Sequence, residues 1–62
     1  MNPLLPIIEE LMDAPDHAAR ARWLLACPLT VLVKYQDTIR NRLMSAYFRD
    51  GLDYLEAELA LL

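Results

Sequence analysis

The chain of 62 residues is 56% hydrophobic and carries a formal net charge of −3, with a pI near 4.8. One cysteine, Cys27, cannot close a bridge within the chain, and with the single histidine, His17, it falls short of the roughly four ligands of a structural zinc, so a disulfide scaffold and a zinc finger are excluded. The longest uncharged run, Trp23 to Val33, is about half of the ~20 residues a bilayer span requires, and Met1-Asn2-Pro3 lacks the basic start of a signal peptide, so a cytoplasmic protein without a membrane span is expected.

The elements read as helix throughout. There is one glycine, no hairpin pair with alternating flanks and no repeat, and the four prolines sit near helix starts. Asn2 and Pro3 open a first helix over 3–13, in which Leu4, Leu5, Ile7, Ile8, Leu11 and Met12 fill one arc and Glu9 and Glu10 the other. Pro15 disfavours helical backbone at Ala14, and a second helix with Pro15 and Asp16 in its first turn is expected over 15–26, closed by Cys27-Pro28. A third spans 29–48. Its apolar half holds Leu29, Leu32, Val33, Tyr35, Ile39, Leu43, Met44, Ala46 and Tyr47, opposite Lys34, Thr38, Asn41, Arg42 and Ser45.

A fourth helix over 51–61 completes the series. Phe48, Leu52, Leu55, Leu59 and Leu62 repeat at spacings of four, three, four and three, the pattern of a helix seam. In one unbroken helix this seam would lie about 130° from the preceding stripe, so the chain is expected to break between Phe48 and Gly51, with the glycine at a C′ position. The alternative is one long helix whose halves are buried against different bodies. The fold class is therefore all-α, a bundle of three or four helices forming one domain over 1–62. A chain this short hides only about 60% of the surface its unfolded form exposes, so completion by homodimerisation is expected. Because the seam runs to the last residue, Phe48, Leu52, Tyr54, Leu55, Leu59 and Leu62 are the expected dimer or partner interface.

Charge is segmented. Residues 1–16 carry four acids and no base, residues 17–49 six bases against Asp37 alone, and residues 50–62 four acids. The ends should attract the middle, either by pairing between packed neighbours or by leaving an acidic face for a basic patch on another protein. No enzyme is expected, since His17 and Cys27 have no third group in pattern with them and nothing resembles a phosphate-cradling loop; no metal or cofactor is implied. A helix-turn-helix with Lys34, Arg40 and Arg42 on its later helix is disfavoured by the acidic balance, so nucleic acid is not the expected partner.

Protein binding is the remaining class. Trp23 lies about 100° from the apolar stripe of its own helix, either packed beneath a neighbour or exposed as a hot spot beside Arg20. Gln36 and Arg40 fall within the apolar arc of the third helix, where Asp37 and backbone near a helix end satisfy them or a subunit or target interface does.

The run Phe48-Arg49-Asp50-Gly51-Leu52-Asp53-Tyr54-Leu55-Glu56 resembles a segment of small phage early proteins that act as quorum-sensing anti-activators. The resemblance covers nine residues, and Gly51 departs from the alanine of that pattern. It implies a compact all-helical homodimer, made during infection, that masks a host transcription regulator or motor protein without chemistry. The alternative is a structural or antitoxin-like subunit of a larger complex.

Overall fold

The computed structural model describes residues 6–62, and within them five helices pack around one core: α1 Pro6–Asp13, α2 His17–Ala26, α3 Leu29–Lys34, α4 Gln36–Ser45 and α5 Arg49–Leu59. The expected cap at Asn2 and the opening at Pro3 lie outside the described residues.

In α1, Ile8 and Leu11 point inward while Glu9 and Glu10 stay in solvent, as a 3.6-residue period requires. Its C-terminal carbonyls are held by arginines from elsewhere. Arg42 Nη2 donates to the Met12 carbonyl at 2.7 Å and Arg20 Nη2 to that of Ala14 at 3.4 Å, cations placed at the negative end of a helix. The second helix starts two residues later than the proline suggested. Asp16, with extended backbone, is its N-cap, and the Asp16 carboxylate accepts from the Ala19 N–H at 2.8 Å. Pro15 therefore precedes the cap, whereas the Cys27-Pro28 stop falls where expected.

The expected third helix is two. Tyr35 (φ −112°, ψ 24°) separates α3 from α4, and the Gln36 side-chain amide donates to the Val33 carbonyl at 3.1 Å where a backbone donor of a continuous helix would stand. The break lets α3 lie against α5 while α4 reaches both α1 and α5.

The turn between α4 and α5 also departs from expectation. The chain leaves the helix at Ala46, before Phe48, through a Schellman motif: the Phe48 N–H donates to the Leu43 carbonyl at 2.9 Å and the Tyr47 N–H to that of Met44 at 3.0 Å. The left-handed C′ position is Tyr47 (φ 55°), not Gly51. A residue with a Cβ costs roughly 1–2 kcal/mol there, and the Tyr47 side chain is 90% exposed. Tyr47→Gly is accordingly expected to raise stability by about 1 kcal/mol, after the extra freedom of glycine in the unfolded chain is deducted. Urea denaturation at protein concentrations low enough to keep the subunits separate checks this; an unchanged or lower midpoint there would show that the tyrosine side chain supports the turn.

Gly51 is instead the third residue of α5, and it is buried. A Cβ there would stand 2.5 Å from Phe48 Cδ2 and 3.1 Å from Leu24 Cδ1. Glycine is required by close approach, because the Phe48 ring folds back over the first turn of the helix that it caps. The same ring stacks on His17 with centroids 4.5 Å apart and planes 13° apart, which leaves it little room to yield. Gly51→Ala sets about 1–3 kcal/mol of overpacking against about 1 kcal/mol of better helix propensity, so a net loss of about 1 kcal/mol is expected. Thermal melting would then show a midpoint roughly 4–8 °C lower.

The core is drawn from every helix. Ile8 and Leu11 come from α1, Trp23 and Leu24 from α2, Leu32 from α3, Ile39 and Leu43 from α4 and Leu55 from α5, with Cys27 and Phe48 beside them. Among the described residues no polar or charged side chain is buried with them. The Cα radius of gyration, 10.8 Å, matches the ~10.6 Å of a compact chain of this length. Helix α5 packs on α2, α3 and α4, and α1 on α2 and α4, so the two acidic helices flank the basic ones in space as they do in sequence.

Candidate protein-interaction surface

The seam of α5 divides by depth. Phe48 and Leu55 are buried; Leu52, Leu59 and Tyr54 are half-buried and pack against the core from its edge. Leu62 is exposed and lines a shallow groove of about 310 Å³ with Leu29, Val33 and Lys34. The row that reads as one interface in the sequence is thus chiefly the subunit's own core, with Leu52 and Leu59 as its outer margin. A hydrogen bond to Glu58, one turn on, pushes the Tyr54 phenol up, with burial and the Glu58 charge acting in the same sense.

Of the other expected contact residues, Trp23 is inside the fold. It is 8% exposed, and its indole N–H donates to the Ile7 carbonyl at 2.6 Å, tying α2 to α1. The exposed hot spot at this position is replaced by packing beneath a neighbouring helix. Arg20 is also internally engaged, with Nη1 2.8 Å from His17 Nδ1 in addition to its contact with Ala14. Gln36 is satisfied by Val33 and Arg40 by Asp37 at 3.7 Å, the helix-end account of both. Cys27 is buried, with its thiol directed at the Pro28 carbonyl and pushed up by desolvation. Among the described residues no group of three or more His, Cys, Asp or Glu side chains is placed to hold a metal ion.

Charge pairing across helices does not occur among the described residues. Among the described residues the one ion pair is Arg40–Asp37, within α4. The arginines that face α1 use its terminal carbonyls rather than its acids. Glu9, Glu10, Asp13 and Arg22 border a groove of about 620 Å³ between α1 and α2, which Trp23 also lines.

Large hydrophobic side chains stand outside in several places: Leu25 on α2, Leu29, Leu61 and Leu62 around the end of α5, and Met44 and Tyr47 at the α4–α5 corner. Met44 is 55% and Tyr47 90% exposed, and with Arg49 and Leu52 they line a concavity of about 330 Å³. Sequence periodicity places Met44 and Tyr47 in the buried stripe of a long third helix. Tyr47 is outside it because the helix ends at Ala46 and the chain turns there; Met44, in the last turn of α4, faces solvent beside it. No glycine marks the turn, so the sequence holds no ordinary signal for it. Arg49 is missed for the same reason: only the observed start of α5 makes it the first helical residue.

Among the described residues no helix is long and apolar enough to cross a membrane. Comparison with known proteins finds no matching family model, no matching curated protein and no matching solved structure.

Proposed function

We propose that this chain is a non-enzymatic protein-interaction module that pairs with a second copy and acts by occupying, and so masking, a surface of another protein. The observation that carries the reading is the α4–α5 corner, where a large aromatic and a methionine stand in solvent although the core beneath is complete without them. Tyrosine, methionine and arginine are the residue types enriched at interfaces, and here the three converge on one concavity. The acidic rows of α1 and α5, left without partners on the basic helices, add electrostatic selectivity for a basic surface.

The segment Phe48 to Glu56 passes through this corner, and its likeness to phage quorum-sensing anti-activators makes a host transcription regulator or motor protein the first class of target. A structural or antitoxin-like role would draw on the same exposed side chains. The geometry gives less support to DNA: Arg42 is held by a backbone carbonyl, Arg40 by Asp37, and the helix that would enter a groove is divided at Tyr35.

The test is affinity capture from cells that produce the protein, followed by reconstitution with the purified partner. A stable complex that blocks the partner's activity, and that rising salt weakens because the acidic rows meet a basic surface, is the expected result. A toxin or assembly protein that stays active in the complex would favour the structural reading. Retention of nucleic acid, or of nothing, would overturn the masking role.

A further inference from the structure

We infer that two copies of the chain pair through the α4–α5 corner, the outer edges of their α5 helices lying antiparallel so that Arg49 of each meets Glu56 of the other. The inference rests on the pairing proposed above and names the face that does it.

Several observations converge. Tyr47 holds a left-handed backbone conformation that glycine would occupy at lower cost, yet its side chain makes almost no contact within its own fold. Arg49 is the first residue of α5, where the positive end of the helix dipole disfavours a cation, and among the described residues it has neither an ion-pair nor a hydrogen-bond partner. Asp53, one turn on, is spaced to pair with it and does not. Residues that conflict locally with the structure they occupy, and cluster at one exposed place, point to selection by something outside the subunit.

The patch says what that is, because it complements itself. On a helical wheel centred on buried Leu55, Arg49, Leu52, Glu56 and Leu59 share one flank of α5. Arg49 and Glu56 stand about 5 Å either side of the midpoint between Leu52 and Asp53, at 1.5 Å rise per residue. A two-fold axis through that midpoint exchanges them, so each arginine meets a glutamate twice over, as an isologous contact requires. Leu52 then lies close to the axis, with Met44 and Tyr47 at its side to cover it. A foreign partner would need only an acid opposite Arg49; a second copy supplies the acid and also uses Glu56.

Sedimentation equilibrium over micromolar concentrations tests this. Wild type is expected to be a dimer, and Arg49→Glu and Glu56→Arg each to weaken it at least roughly tenfold, while the double reversal recovers most of the loss. Tyr47→Gly should weaken the dimer similarly while the separated subunit melts higher, a combination that a merely structural tyrosine could not give. A wild-type monomer up to about 200 µM would overturn both the corner and the pairing. A wild-type dimer indifferent to both charge reversals would overturn the corner alone and leave pairing by another face.

Discussion

Trp23→Ala is expected to leave the chain largely unfolded at room temperature. A domain of this length holds together by only about 3–9 kcal/mol, at roughly 0.05–0.15 kcal/mol per residue. Truncating a buried tryptophan costs about 3–5 kcal/mol. Trp23 also donates the hydrogen bond to Ile7 that ties α2 to α1, so its loss leaves a half-buried carbonyl without its donor. Far-UV circular dichroism in a urea series measures the change. Trp23→Phe keeps most of the volume but not the N–H, and should cost much less. The native protein itself offers a check: its single tryptophan should emit to the blue of the urea-unfolded chain, and coincident spectra would contradict the burial.

Leu55→Ala is the second large effect. Leu55 is fully buried on the inner face of α5, the helix that packs on α2, α3 and α4 at once, and a buried leucine truncated in such a place costs about 2–5 kcal/mol. The cavity opens where three helices meet, so collapse of any one of them cannot fill it. The melting midpoint should fall steeply or the cooperative transition vanish. Leu62→Ala, in the same seven-residue rhythm but 73% exposed, should change stability by no more than about 0.5 kcal/mol. Equal effects at the two positions would mean that the seam is not divided between inside and outside as described.

The helical class was legible from proline placement and the 3.6-residue period, because both act within a few residues. Ile8, Leu11, Leu32, Ile39, Leu43 and Leu55 were legible as core for that reason. What escaped was decided by contacts across the chain. The break at Tyr35 serves the packing of α3 on α5, and no local residue announces it. Gly51 invited a reading as a helix stop because conformational freedom is the common reason for glycine; here the reason is the Phe48 ring and Leu24 overhead, visible only once the helices are assembled. Trp23 stands off its own helix's stripe because it belongs to the seam between α2 and α1, which a single-helix wheel cannot represent. The interaction corner was hidden by the same logic, since a tyrosine in a position usual for glycine looks like continued helix.

The clamped Phe48 ring bears on how the corner would recognise anything. Held between the imidazole of His17 and the bare backbone of Gly51, it ties the start of α5 to the start of α2 directly beside the loop that carries Tyr47. Such a surface is preorganised: little backbone entropy remains to be lost on docking, which preserves affinity from a small contact area. It is also unforgiving, because a mismatched ligand cannot be accommodated by induced fit.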